Sequence, residues 1–159
     1  MHTHTIYLAG GCFWGVQRYI DSIPGVTETE VGYANGPRYP VTYEEVKQGC
    51  GHAETCKVVY DNALPLGDLL DAFLSVIDPL SVNRQGEDEG VQYRTGIYYV
   101  DEADLPIIRG VIDALEAKLG AKTALEVLPL EGFCPAEEYH QKYLRKNPGG
   151  YCHIHCLFE

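Results

Sequence analysis

Two hydrophobic periods alternate along this chain. Short runs rich in β-branched and aromatic residues predict strands over Thr5–Ala9, Thr27–Tyr33, Ala53–Tyr60, Thr95–Val100 and Ala124–Pro129. Between them, apolar residues recur at helical spacing and predict helices over Cys12–Asp21, Pro65–Ile77, Asp101–Leu119 and Ala136–Lys146. In the first helix Val16, Tyr19 and Ile20 carry the spacing, and Ile23-Pro24-Gly25 ends it. Asp101, followed by Asp104, supplies an N-terminal cap for the third, and Gly120 a stop. The last stretch, Asn147–Glu159, contains Pro148-Gly149-Gly150 and reads as coil. Strands interleaved with helices predict an α+β fold, a two-layer α/β sandwich. No linker, repeat or low-complexity stretch divides the chain, so one domain over 1–159 is expected.

Composition narrows the function. A chain of 159 residues can bury a substantial core without covalent staples, so its six cysteines need not form a disulfide scaffold. They are expected to be free, catalytic or metal-bound in a reducing cytoplasm. The net charge of −11 argues against nucleic acid and anionic membrane as partners. No apolar run approaches the roughly 20 residues that span a bilayer. The start, Met1-His2-Thr3-His4-Thr5, lacks the basic and apolar regions of a signal peptide.

Candidate chemistry concentrates in Gly10-Gly11-Cys12-Phe13-Trp14-Gly15. The glycines allow a tight turn from the first strand into the first helix. Cys12 then falls near a helix N-terminus, where unpaired N–H groups and the macrodipole favour a thiolate. A lone cysteine is more often inert packing, but this one is followed by Phe13 and Trp14, which offer rigid apolar walls.

This segment resembles the signature of the A-type methionine sulfoxide reductases, the peptide-methionine (S)-S-oxide reductases. Four further segments resemble that family in its order: Gly32-Tyr33-Ala34-Asn35-Gly36, Gly51-His52-Ala53-Glu54, Gln85-Gly86-Glu87-Asp88 through Gln92-Tyr93-Arg94, and Lys146-Asn147-Pro148 through Gly150-Tyr151-Cys152. The resemblance spans nearly the whole chain. It implies a mixed sheet with flanking helices, a ferredoxin-like core and a long irregular C-terminal tail. It also implies thiol-dependent reduction of methionine (S)-sulfoxide, free or in proteins, by a monomer that needs no metal or organic cofactor and draws electrons from thioredoxin or a similar dithiol.

Reducing a sulfoxide needs a thiolate to attack sulfur, an acid to protonate the departing oxygen, and a pocket for the methyl group. Cys12 is the candidate nucleophile, with Phe13 and Trp14 as the pocket. Glu54 enters the apolar run Val58-Val59-Tyr60; burial there would raise its pKa and keep it a proton donor. The resemblance assigns it the role of acid, and maps two hydrogen-bonding tyrosines onto Tyr43 and Tyr93 and a substrate-binding carboxylate onto Asp88. His52 is expected to make a structural hydrogen bond. After attack, Cys12 becomes a sulfenic acid that a second thiol condenses with. Cys152 is the candidate resolving cysteine, and Cys156 a second recycling thiol whose role the short tail leaves open. Gln17 stands where the family commonly has glutamate, a change expected to be tolerated.

The alternative is a structural zinc domain. Cys50, His52, Glu54 and Cys56 alternate, as one strand face would require, and Cys152, His153, His155 and Cys156 are further potential ligands. Neither set has the paired C-x-x-C spacing of a strong zinc signal.

Overall fold

A computed structural model describes residues 3–36, 42–47, 51–85 and 88–147. In chain order the elements are β1 (Thr3–Gly10), α1 (Phe13–Asp21), β2 (Val26–Ala34), α2 (Tyr43–Lys47), β3 (Ala53–Asp61), α3 (Leu66–Leu74), β4 (Arg84–Gln85), β5 (Asp88–Glu89), β6 (Thr95–Tyr99), α4 (Leu105–Leu119), β7 (Glu126–Pro129), β8 (Phe133–Pro135) and α5 (Tyr143–Lys146). Six strands form one sheet in the order β7-β6-β1-β3-β2-β8, and β4 and β5 form a separate hairpin. Neighbours in the sheet run antiparallel except β6 and β7, which are parallel, so the sheet is mixed. Within it, β1-α1-β2-β3-α3-β6 has the strand order β6-β1-β3-β2 of a ferredoxin-like core.

Strand alternation divides the burial. One face of the sheet presents Ile6 and Leu8 of β1, Val31 and Tyr33 of β2, Cys56 and Val58 of β3, and Ile97 of β6. Helix α1 lays Phe13, Val16 and Ile20 on this face, and α3 lays Leu66, Leu69, Leu70 and Phe73 there, both at helical spacing. The opposite face is a smaller cluster of Tyr7, Ala9, Ala34, Ala53 and Tyr98, packed against Leu130 and Phe133.

The turn into α1 needs its glycines for two separate reasons. Gly11 sits at φ +91°, a left-handed conformation that disfavours side chains. Gly10 ends β1 under α3, where a Cβ would come 2.8 Å from the Phe73 ring.

The structure corrects several boundaries. Cys12 is the N-cap of α1, and α3 ends at Leu74, not Ile77. Asp101 caps a short 3₁₀ turn, Glu102–Asp104, by accepting from the Ala103 N–H at 2.9 Å; α4 follows, with Pro106 in its first turn and Gly120 (φ +69°) ending it. The largest correction is the expected helix over Ala136–Lys146. This segment leaves β8, makes a 3₁₀ turn over Glu138–His140, passes through a left-handed Lys142 and forms only the single turn of α5. Tertiary hydrogen bonds replace helical ones. Ala136 N–H donates to the Val31 carbonyl, the Gln141 amide donates to that carbonyl and accepts from the Val31 N–H, and Lys142 N–H donates to Gln17 Oε1. Helix α2, strand β8 and the β4–β5 hairpin had no counterpart among the predicted elements.

Candidate active site

Cys12 sits where β1 ends and α1 begins, 6% exposed. The N–H groups of the first helical turn have no partners within the helix. One of them, Phe13 N–H, donates to Glu54 Oε1 at 3.2 Å, so the carboxyl is held one residue from the thiol. Glu54 lies on β3 opposite Tyr33 of β2, on the helix-bearing face of the sheet, and is 1% exposed. Its other oxygen, Oε2, has no hydrogen-bond partner among the described residues. Burial pushes this carboxyl up to about 8; the Phe13 N–H pulls the other way, and the charge of Asp88 adds to the rise. A glutamate in this state is a proton donor at neutral pH.

The other candidates converge on the same point from separate elements. Tyr43 is the first residue of α2. That helix is fixed by a capping box in which Glu45 N–H donates to Thr42 Oγ1 and Thr42 N–H donates to Glu45 Oε1. Tyr93 closes a 3₁₀ turn, Val91–Tyr93, between the hairpin and β6. Asp88 opens β5, opposite Gln85. Burial raises both phenols, and the charges of Glu54, Cys12 and Asp88 act on each of them; both therefore stay protonated donors. Phe13 is fully buried and roughly parallel to the Tyr43 ring, with centroids 6.4 Å apart.

Trp14 is half-buried and stacks on Tyr143 at 3.9 Å with 12° between the rings. Its indole N–H donates to His140 Nδ1 at 2.9 Å. Since the indole can only donate, Nδ1 must lack a proton and the imidazole is the neutral Nε2–H tautomer. Burial acts in the same sense by pushing the His140 pKa down, against a smaller opposing effect of Glu137. The imidazole also packs against Phe13, Tyr43 and Tyr139, with centroids 5.3, 4.3 and 4.1 Å away.

The sequence reading missed His140, Tyr143 and Glu137. Glu137 accepts from the Tyr33 hydroxyl at 2.8 Å and from the Tyr43 N–H at 3.1 Å, tying α2 to the sheet. The misplaced helix over Ala136–Lys146 hid all three. Helix α2 did carry a signal, the capping-box spacing of Thr42 and Glu45 before Val46.

His52 is fully buried just before β3. Cys152 and Cys156 lie outside the described residues, as do Cys50, His153 and His155. The zinc alternative depended on those positions. Among the described residues no group of three or more His, Cys, Asp or Glu could hold a metal ion, and Cys56 is sealed in the core between Leu8 and Val31. Also among the described residues, no helix is long and apolar enough to cross a membrane.

A thiol at a helix N-terminus, beside a protonated carboxylic acid, two phenols and an aromatic wall, is equipped to attack an electrophile whose leaving oxygen must be protonated. Comparison with known proteins points the same way. The family model described as peptide methionine sulfoxide reductase matches residues 4–158. The peptide methionine sulfoxide reductase MsrA of Lachnoclostridium phytofermentans is 56% identical over 158 residues, covering 98% of this chain and 95% of the relative. Mxr1 from Saccharomyces cerevisiae in reduced form is similar with a TM-score of 0.89 at 38% identity, covering 94% of this chain and 88% of that one. Mxr1 in complex with Trx2 is similar with a TM-score of 0.63 at 26% identity, covering 89% and 84%. The family model and the relatives cover nearly the whole chain, and the chain belongs to the peptide methionine sulfoxide reductase family, in its A type.

Proposed function

We propose that Cys12 is the nucleophile in the reduction of methionine (S)-sulfoxide, with Glu54 as the acid. The observation that carries this is the single hydrogen bond from Phe13 N–H to Glu54, which sets a protonated carboxyl beside the N-cap thiol. The Cys12 thiolate attacks the sulfoxide sulfur while Glu54 protonates the oxygen. Tyr43 and Tyr93 hydrogen-bond that oxygen, Phe13 and Trp14 wall the methyl group, and Asp88 binds the substrate's polar backbone. With a second proton the oxygen leaves as water and a Cys12–methionine S–S bond remains; water then attacks the Cys12 sulfur, methionine leaves with the electron pair of that bond, and Cys12 becomes a sulfenic acid. A second thiol, Cys152, then displaces water from Cys12 and forms a disulfide.

A dithiol reductant returns the disulfide to two thiols, with Cys156 as a relay. The complex of the yeast relative with Trx2 supports a thioredoxin-type donor. The enzyme works as a monomeric single domain in the cytoplasm, on free methionine sulfoxide or on oxidised proteins.

Intact mass of the fully reduced protein, after exposure to methionine (S)-sulfoxide without reductant, tests this cycle. The expected result is loss of two hydrogens, absent in Cys12→Ser, with peptide mapping joining Cys12 to Cys152. A gain of one oxygen would move resolution to an external thiol. No change would remove Cys12 from the chemistry.

A further inference from the structure

The 3₁₀ turn Glu138–His140 divides its rings between core and solvent. His140 is buried at 1% exposure, whereas Tyr139 beside it is 57% exposed. Among the described residues Tyr139 is the one exposed aromatic side chain. Its ring centroid lies 4.1 Å from that of His140. The His140 centroid in turn lies 4.3 Å from Tyr43 and 5.3 Å from Phe13, the residue after the candidate nucleophile. Tyr139 also acts electrostatically on the phenols of Tyr43 and Tyr33. An exposed aromatic face thus stands at the mouth of the site, two ring contacts from Phe13.

Carboxylates set the charge at that face. The Tyr139 phenol is raised first by partial desolvation and then by the charges of Glu137 and of Glu44 on α2. Glu137 stays ionised: burial opposes this, but hydrogen bonds from its own N–H, the Tyr43 N–H and the Tyr33 hydroxyl outweigh it. Glu138 is met by Lys146 at 3.6 Å, both side chains being exposed. Lys142 is held by Asp21 at 2.6 Å, and it lines a cavity against α1 together with Arg145. The charge acting on the ring is therefore negative, in the same sense as the chain's net −11. A tyrosine face beside carboxylates attracts a cation through both the ring quadrupole and the Coulomb interaction.

A polypeptide bound with its sulfoxide at Cys12 has neighbouring residues only about 3.3 Å apart along an extended chain. A long basic side chain next to the methionine can therefore reach the rim of the site. We propose that Tyr139 is a specificity-determining residue whose exposed face receives a lysine or arginine side chain adjacent to the oxidised methionine. The inference rests on the reading of Cys12 as the sulfoxide-reducing centre. It separates one polypeptide substrate from another, since free methionine sulfoxide carries no such side chain.

The test uses the full chain with a dithiol reductant and end-blocked pentapeptides that carry a central methionine (S)-sulfoxide. Lysine or Nε-acetyl-lysine stands on both sides of it, so the two peptides share a stem and differ in charge. Salt at about 0.5 M shortens the Debye length to roughly 4 Å, which screens attraction to the net charge and leaves the contact. We expect kcat/KM for the lysine peptide to exceed that for the acetyl-lysine peptide by about two- to fivefold, as an exposed cation–π contact gives, with the difference in KM. Tyr139→Phe keeps the ring and should keep the ratio. Tyr139→Leu keeps the net charge and an apolar side chain, and should bring the ratio to about one. Each ratio compares two peptides on the same preparation, so any loss of active protein in a variant cancels. A ratio near one in the unaltered protein, a ratio that survives in Tyr139→Leu, or its loss in Tyr139→Phe overturns the role of the Tyr139 face. Failure to reduce either peptide would strike the reading of Cys12 as well, and equal turnover of both would strike the Tyr139 inference alone.

Discussion

Phe13 N–H and Glu54 Oε1 are joined at 3.2 Å, and that bond links the first turn of α1 to the third strand of the sheet. It leaves Glu54 Oε2 as a buried oxygen with no protein partner among the described residues. A buried polar atom without a partner is costly, and a substrate oxygen at that position would meet its proton.

A pH dependence follows. Burial holds the Glu54 carboxyl near 8, so the acid form is present below that value and lost above it. The rate of methionine release in single turnover should fall as pH rises through about 8. Glu54→Gln should slow that step by roughly a hundredfold or more, as expected for a lost general acid, and should abolish the fall. The same shift has a stability consequence with a definite sign. A carboxyl whose pKa is raised on folding stabilises the fold below its unfolded value and loses that contribution as pH rises through the folded one. Glu54→Gln should therefore gain Tm relative to the parent between pH 5 and 9. A parent and variant with parallel Tm profiles would contradict the raised pKa.

Glu137 acts on the site through Tyr43. Its carboxylate accepts from the Tyr43 N–H and the Tyr33 hydroxyl, both on elements that pack around Phe13. Glu137→Ala should leave both donors unsatisfied, at about 1–3 kcal/mol in unfolding free energy. It should lower kcat more than it raises KM if Tyr43 donates to the departing oxygen as proposed. Glu137→Gln retains an acceptor and should recover most of the rate. Equal losses in the two variants would assign Glu137 to charge instead of position.

The elements of the ferredoxin-like core are legible because their signals are local, whereas their order in the sheet rested on the family resemblance. The strands of β1, β2, β3 and β6 and the helices α1, α3 and α4 each carry their own apolar period, and Asp101 and Gly120 punctuate as their chemistry dictates. Glu54 carries less local signal, since an isolated strand glutamate is more often exposed, and the family resemblance is what singles it out as the acid. The segment 133–147 was not legible. Its helical spacing is real, but its polar groups bind Val31 and Gln17, more than a hundred residues away, and such tertiary bonds leave no local trace. His140 and Glu137 were lost with it.

Gln17 shows what that tertiary bonding holds together. Buried on α1, its Oε1 accepts from Lys142 N–H at 2.8 Å and its amide donates to Thr29 Oγ1 at 3.1 Å. Lys142 there adopts φ +55°, uncommon for a non-glycine residue. The tolerance expected for glutamine at this position is intelligible: both ends of the amide are used, and neither partner requires a charge. Gln17→Ala should remove both bonds and cost about 1–3 kcal/mol in urea unfolding. It should also loosen the turn that sets Tyr143 under Trp14, raising KM for methionine sulfoxide. An unchanged midpoint would mean that α5 is held by packing alone.

Arg94 provides the equivalent anchor for Tyr93. Its side chain is 12% exposed and uses three nitrogens on three elements. Nε meets Glu126 Oε1 of β7 at 2.7 Å, Nη1 donates to the Val91 carbonyl at 2.8 Å, and Nη2 donates to the Asn35 carbonyl at 3.1 Å. Val91 begins the 3₁₀ turn that Tyr93 closes, so the guanidinium fixes that turn between β7 and the end of β2. Lysine has the charge but only one nitrogen and no planar fork. Arg94→Lys should therefore keep the ion pair to Glu126, forfeit the two carbonyl contacts, and fail to rescue activity relative to Arg94→Ala. If Tyr93 donates to the departing oxygen as proposed, both variants should lose several-fold in kcat with a smaller change in KM. Rescue by lysine to near the parent rate would show that the charge beside Glu126, and not the position of the Tyr93 turn, is what the site requires of Arg94.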